Sequence, residues 1–373
     1  MTFRKKVEFK IKAAFFALFR GILKKGDSRR IPLDGTRMLK ILFLRPDRIG
    51  DTVCSFPLMD HLKKTYPYWK MSIYASPKNI GLINNDPRFE NIYIYRRNII
   101  KDVMQVFAIR REKYDLLVDM MGDDSVTTLF LSQFCVSKAP RIGVNKRKFG
   151  RYYDFSYVQP ENCEEHTIDI NLHLLEAFEL KPSEADPFAP PYVPEKSDKK
   201  AGDFLEEIKK DKEYNSIIGF NLSSRGANRD WGEEKSQELV RRLVNEYPNT
   251  AIVLITVPGE REKGERVLKG FDSNVYHIFA NANLSEVSAL LSKMDSLISP
   301  DTSLVHIARS FDIPVIGLYP EYKKVYRQWL PYRQPEGLVL SYGDDNIFNI
   351  TVEEVFAKFR EMVSGKAFAT GRS

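Results

Sequence analysis

The feature that most restricts the fold is a repeated switch of hydrophobic period. Short, mostly apolar runs, each the length of a strand buried on both faces, alternate with longer stretches of helical periodicity. The first run, residues 38–44, reads Met-Leu-Lys-Ile-Leu-Phe-Leu and feeds a polar turn and then a helix reaching residue 66. Strands at 71–75, 91–95 and 115–120 and a helix at 101–113 follow. Strands of this kind need helices on both faces of a parallel sheet, so the alternation predicts βαβ units and a Rossmann-like domain.

The pattern stops and restarts. Pro182, Pro187, Pro190, Pro191 and Pro194, then Lys196, Asp198, Lys199 and Lys200, have the chemistry of a linker, since proline denies an N–H to any helix or sheet interior. Beyond it, strands at 216–221, 250–256, 276–279, 296–299 and 315–319 alternate with helices ending near 210 and spanning 233–246, 261–270, 284–294 and 303–311. The expected division is a basic extension 1–35, a Rossmann-like domain 36–185, a linker 186–200, a second Rossmann-like domain 201–345, and a C-terminal helix and tail 346–373. A chain of 373 residues suits two such domains. Ligands of doubly wound folds bind at the carboxyl ends of the strands, here in an expected cleft between the domains.

Composition narrows the class. A charged fraction of 29% beside 43% hydrophobic residues excludes wholesale disorder, collagen and a polytopic membrane protein. Cys54, Cys135 and Cys163 are odd in number and widely spaced, which argues against a disulfide framework or zinc module and for a reducing compartment. The net charge of +7 is concentrated: residues 1–30 carry ten basic side chains against Glu8 and Asp27, so the remainder is nearly neutral. Nucleic acid is therefore not an expected partner. Within that segment Val7, Ile11, Phe15, Leu18 and Ile22 recur at helical spacing, widened by Phe16, Phe19 and Leu23. Its longest apolar run, residues 13–19, falls far short of the roughly 20 needed to span a bilayer, and Arg20 and Lys24-Lys25 replace the small residues of a signal cleavage site. A helix lying on an anionic cytoplasmic leaflet is the favoured expectation; a helix docked on the protein's own body is the alternative.

Three loops at strand ends carry candidate chemistry. In Arg45-Pro46-Asp47-Arg48-Ile49-Gly50-Asp51-Thr52, Asp51 is placed either to cap the following helix or to act as a general base. No GxGxxG accompanies it, so a dinucleotide site has no support. The stretch from Asn221 to Trp231 gathers Ser223, Ser224, Arg225, Gly226 and Arg229, which either cradle phosphate or form a polar turn. In Ser299-Pro300-Asp301-Thr302-Ser303-Leu304-Val305-His306 a strand breaks and a helix opens, where free N–H groups and the helix dipole favour an anion; the plainer reading is an ordinary cap with a packed His306. Two phosphate-friendly loops in one domain point to a diphosphate ligand. The five histidines are dispersed without metal-ligand spacing, and Asp123-Asp124 reads as solvated surface, so metal-independent chemistry is expected. Arg141, Lys146, Arg147, Lys148 and Arg151 form a second basic run, either an anion contact or a solvated loop.

These residues resemble the heptosyltransferases, glycosyltransferase family 9 of bacterial lipopolysaccharide assembly. The resemblance runs from about residue 38 to 331. It rests on Arg48-Ile49-Gly50-Asp51-Thr52-Val53 with Phe56-Pro57-Leu58, residues 115–119, Arg141-Ile142-Gly143, and residues 299–308 followed by Pro314-Val315-Ile316-Gly317-Leu318-Tyr319. It implies an α/β GT-B fold, two Rossmann-like domains facing each other across a cleft. It also implies inverting transfer from a nucleoside-diphosphate sugar, in the best-known members ADP-heptose, to a lipid-linked saccharide, with no cofactor. Asp51 would be the general base. Ser223, Ser224, Arg229 (where the family usually has lysine), Glu260, Glu262, Asp301, Thr302, Ser303 (in place of the usual glycine) and His306 would bind the donor. Arg48, Arg141, Lys146, Arg147, Lys148 and Arg151 would contact the acceptor, and residues 1–30 the inner leaflet from its cytoplasmic face. The alternatives are a different donor or acceptor, a sugar-nucleotide epimerase, or a membrane-bound binding protein without turnover.

Overall fold

The apolar runs pair in parallel, as their burial on both faces demands. In a computed structural model of the chain, the residues described are 20–27, 31, 36–122, 124–271, 273–279, 281–321, 326–343 and 345–365. The chain divides into two units, Met1–Cys163 with Thr167–Pro187, and Phe188–Ser373 with Glu164–His166.

The first unit contains β1 (Lys40–Arg45), β2 (Lys70–Ala75), β3 (Phe89–Ile94), β4 (Leu116–Asp119), β5 (Arg141–Val144) and β6 (Phe155–Tyr157). They form one sheet in the order β3-β2-β1-β4-β5-β6. Ile41 lies opposite Met71 on one side and Leu116 on the other. The order reverses between β1 and β4, which opens a crevice at their carboxyl ends. Helices Ile49–Val53, Phe56–Thr65, Ile99–Glu112 and Val126–Cys135 connect the strands. Strands β5 and β6 and the helix Val126–Cys135 were not legible as elements. The two strands are only four and three residues long, and Arg141 and Ser156 interrupt what apolar run they have.

The second unit repeats the plan with β7 (Ser216–Asn221), β8 (Thr250–Ile255), β9 (Val275–His277), β10 (Ser296–Pro300), β11 (Val315–Pro320) and β12 (Leu338–Ser341). Their order, β12-β11-β10-β7-β8-β9, reverses between β7 and β10. The C-terminal helix Val352–Val363 opens with a Thr351/Glu354 capping box and buries Val355, Phe356 and Phe359 in this unit's core, beside Leu239 and Leu243 of the helix Glu233–Glu246. Two Rossmann-like units, each with a six-stranded parallel sheet, give the α/β GT-B organisation that the sequence leads one to expect.

Two expected boundaries differ. Residues 186–200 are not all linker: the helix Glu195–Asp211 begins inside them. Their charges are its solvated face, with Lys199 paired to Asp203 one turn on (2.7 Å), Asp198 to Lys293 (2.7 Å) and Lys200 to Glu286 (2.9 Å). The unit boundary falls before Phe188, which is itself buried. Most of the amphipathic N-terminal stretch, residues 1–19, lies outside the described residues, as does Asp123. Residues 20–27 do lie against the first unit. Leu23 packs with Leu129, Phe130 and Tyr153, and Gly26 donates its N–H to Arg151 O at 3.0 Å. A Cβ on Gly26 would stand 1.8 Å from Tyr153 O, so only glycine fits there.

Candidate functional site

At the crevice of the first unit, the last residue of β1 organises the loop that follows. Arg45 is 1% exposed, and its guanidinium donates to Asp51 O from Nε (3.0 Å) and Nη2 (2.8 Å). It also donates to Met120 O, just beyond β4, and lies 3.3 Å from Asp47 Oδ2. One buried cation thus ties the ends of β1 and β4 to the turn carrying Asp51. Asn79 completes the frame, with Nδ2 donating to Thr52 Oγ1 (2.6 Å) and Arg45 O (3.3 Å). The Asp51 carboxylate is 19% exposed, with Oδ1 3.4 Å from Arg45 Nη2. The cap reading of Asp51 is corrected: the N-cap position is Arg48, and Asp51 is the third helical residue, with no capping hydrogen bond. Its side chain is therefore held by position rather than consumed by the backbone. Arg48 is exposed beside it.

The second basic run does not act as a unit. Arg141 is 0% exposed and donates to Tyr152 O and Ala139 O at the start of β5. Lys146 is also buried, its ammonium 3.0 Å from Asp119 Oδ2 and donating to Met121 O at 2.6 Å. Tyr153 donates its hydroxyl to the same Asp119 oxygen at 2.6 Å. Both residues are satisfied inside the unit, which removes them from the expected acceptor contacts. A buried cation must be paired, and the string of like charges does not reveal which members turn inward. Arg147, Lys148 and Arg151 remain exposed; Arg151 stacks on Tyr152, and Asp124 accepts the Lys148 N–H at 2.6 Å.

In the second unit, the loops after β7 and β10 are tied across the switch point. Asn221, the last residue of β7, donates Nδ2 to Ser299 Oγ (3.0 Å) and Thr302 Oγ1 (3.1 Å). Arg229 lies 3.0 Å from Asp301 Oδ2, and its Nη1 donates to Asp301 O at 3.3 Å. Gly226 and Gly232, at φ +98° and +96°, frame this turn in a region side-chain-bearing residues avoid. Thr302 caps the helix Ser303–Ser310, accepting the Leu304 N–H at 3.3 Å. The first turn of that helix therefore opens at the carboxyl end of β10, beside the Arg229 guanidinium. Ser223 accepts the Val257 N–H at 2.9 Å, and the Ser224 hydroxyl reaches only Gly226 O at 3.5 Å.

Glu260 ends the 3-10 turn Pro258–Glu260, and its Oε2 is buried with no hydrogen-bond partner among the described residues. Glu262 is not part of this arrangement. Its side chain is 91% exposed and 3.8 Å from Arg266 on the outer face of the helix Arg261–Leu268. His306 is 6% exposed, 6.1 Å from His166 and 5.7 Å from Trp329 between ring centroids. Burial pushes its pKa down to about 4. That of His166, whose Nε2–H donates to Leu330 O at 3.1 Å, falls to about 3, by desolvation first and His306 second. Both rings are neutral near pH 7.

Sequence reasoning missed Arg45 and Asn221 as organising residues, and also the pair Lys263–Asp230 (2.7 Å), whose ammonium side is 10% exposed. The signal for the first two was a polar residue closing an apolar strand; the third pair has no local signal. Among the described residues, no group of three or more His, Cys, Asp or Glu gathers to hold a metal.

The comparisons agree with this fold. The lipopolysaccharide core heptosyltransferase OpsX of Haemophilus influenzae is 22% identical over 84% of this chain and 88% of its own length. A family 9 glycosyl transferase from Veillonella parvula superposes with a TM-score of 0.73 at 15% identity, over 88% of this chain and 98% of that one. The heptosyltransferase WaaC of E. coli, solved with ADP, gives 0.67 at 17% identity, over 88% and 99%. A family model described as glycosyltransferase family 9 (heptosyltransferase) matches residues 106–344, taking in the bracketed loops Asn221–Asp301 and the helix that follows them. A match of that extent makes this chain a glycosyltransferase, a member of family 9, the heptosyltransferase family.

Proposed function

We propose that this enzyme moves a heptosyl group from ADP-heptose to a lipid-linked saccharide of the lipopolysaccharide core or a related surface glycan, by inversion and without a metal ion. The observation that carries the donor assignment is the bracket of Asn221, Arg229, Asp301 and Thr302 at the β7/β10 switch point, which aims a helix N-terminus and a guanidinium at one place. Both are complementary to a diphosphate. Asp301 serves this reading as the group that orients Arg229, and the Ser223 and Ser224 hydroxyls add donors. The unpartnered Glu260 Oε2 suits a ribose hydroxyl, which would satisfy a buried acceptor. OpsX, named as a lipopolysaccharide core enzyme, and WaaC, solved with ADP, support the choice of acceptor and nucleotide.

In this mechanism Asp51 takes the proton from an acceptor hydroxyl as its oxygen attacks the anomeric carbon. The bond from that carbon to the diphosphate oxygen breaks with its electron pair staying on the diphosphate. The charge that develops there is met by Arg229 and the N–H groups of the helix Ser303–Ser310. A single displacement inverts the anomeric centre. Arg48, Arg147, Lys148 and Arg151 are the exposed cations available to an anionic acceptor, and of the basic extension the part ahead of the docked residues 20–27 is assigned to the cytoplasmic leaflet that holds it.

Titration calorimetry against ADP, UDP, GDP and their sugars, with and without magnesium, tests the proposal. Selective ADP binding indifferent to magnesium is expected. Preference for UDP or GDP overturns the donor, and loss of transfer in a chelator overturns metal independence.

A further inference from the structure

The helix Ile99–Glu112 presents an unusual face. Its buried side is Asp102 and Ile109, with Gln105 and Val106 half-buried. On the opposite side Ile100, Val103, Met104 and Phe107 follow at helical spacing and are 74%, 47%, 65% and 65% exposed. Ile99, at the N-terminal end, is 84% exposed. Isolated exposed apolar residues are ordinary, but a contiguous stripe on one helix marks a contact surface.

The charges around this stripe say what it contacts. Lys101 flanks it on one side and Arg110 on the other, both exposed, and Arg111 continues the stripe itself. Arg96 and Arg97 precede the helix and Lys113 follows it, also exposed. The acidic residues do not offset them. Asp102 is buried, accepting the N–H groups of Arg96 and Asn98, each at 2.8 Å, and Glu112 is held 2.9 Å from Lys40. An apolar stripe edged by cations is the pattern of a helix lying in the interface of an anionic bilayer: the side chains enter the acyl boundary and the long basic stems reach up to headgroup phosphates. No described helix is long and apolar enough to cross a membrane.

We propose that the helix Ile99–Glu112 is a membrane-surface anchor for anionic phospholipid. It packs against the helix Val126–Cys135, with Arg110 donating to Phe134 O at 3.3 Å. The same neighbour receives the N-terminal segment, since Gln133 exchanges hydrogen bonds with Lys24 N and O at 3.2 and 2.9 Å. The segment ahead of it carries Arg4, Lys5, Lys6, Lys10 and Lys12 against Glu8. Like charge disfavours that segment as the cover of the stripe and makes both elements complementary to one anionic surface. The proposal rests on neither the donor assignment nor the role of residues 1–30.

The test is co-sedimentation of the full chain with vesicles of phosphatidylglycerol and phosphatidylethanolamine, compared with phosphatidylcholine alone. Met104→Glu/Phe107→Glu should weaken binding to the anionic vesicles at least tenfold without moving the unfolding temperature, because both side chains are exposed. Lys101→Gln/Arg111→Gln should weaken it less and flatten its salt dependence. Three results would overturn the proposal. One is unchanged vesicle binding in Met104→Glu/Phe107→Glu. Another is a wild-type dimer which that variant dissociates while vesicle binding persists, making the stripe a contact between copies. The third is complete loss of binding in Phe15→Glu/Phe16→Glu with none in Met104→Glu/Phe107→Glu, assigning the membrane to the N-terminal segment alone.

Discussion

Replacing Lys146 by methionine separates a structural lysine from an acceptor-binding one. The ammonium is 1% exposed and the Asp119 carboxylate 0% exposed. Methionine keeps the stem's length but removes the charge and the bond to Met121 O. Asp119 then keeps only the Tyr153 hydroxyl at 2.6 Å and the Met121 N–H at 3.1 Å. Tyr153 stays neutral and goes on donating its proton, because burial and the adjacent Asp119 hold its pKa well above the usual phenol range. Removing one partner of a buried pair costs about 3–5 kcal/mol. For a unit of this size that corresponds to a fall of roughly 6–20 °C in the unfolding midpoint. Adding Asp119→Asn should return part of the loss, with a coupling energy of about 0.5–3 kcal/mol in a double-mutant cycle. Thermal and urea unfolding by circular dichroism, run beside acceptor KM on whatever folds, give the answer. An unchanged midpoint with a raised acceptor KM would refute the buried-pair argument and restore Lys146 to the acceptor site.

Asp51→Asn should leave folding and nucleotide affinity intact while lowering transfer by about 10²-fold or more; an active variant sinks the general-base role. Arg229→Ala should weaken donor binding measured by calorimetry, and Asp301→Asn should do so less, since it loosens the guanidinium without removing it; equal affinity in all three proteins would refute the diphosphate assignment. The lowered pKa of His306 makes stability fall as the solution is acidified. The unfolded ring takes up a proton below about 6.5 and the folded ring only near 4, so its contribution is complete above pH 7 and about 2 kcal/mol is lost by pH 5. Urea unfolding at pH 7.5 and 5.0 should show a smaller pH difference in His306→Gln than in the wild type, and identical differences would contradict the burial argument. Thr351→Ala should cost roughly 1 kcal/mol by removing the capping box of the C-terminal helix, read from the same urea curves.

What the sequence alone determined was everything with a local period. The apolar runs located nine of the described strands, all but β5, β6 and β12, and most helices, with β7 and the helix Glu233–Glu246 matching to the residue, because burial on both faces or on one stripe is written directly into spacing. The same logic located the strand-end loops that carry the candidates Asp51, Arg229 and Asp301, since a doubly wound fold puts its ligand loops there. Tertiary structure decided what those polar groups do. Whether Lys146 faces solvent or Asp119, whether Arg229 stands alone or against Asp301, and whether Arg45 reaches Met120 depend on partners far along the chain. A string such as Arg141, Lys146, Arg147, Lys148 and Arg151 looks uniform in one dimension. Only the fold assigns the first two to the interior, because the free energy of a buried charge is set by the group that meets it, and strand order brings that group into place.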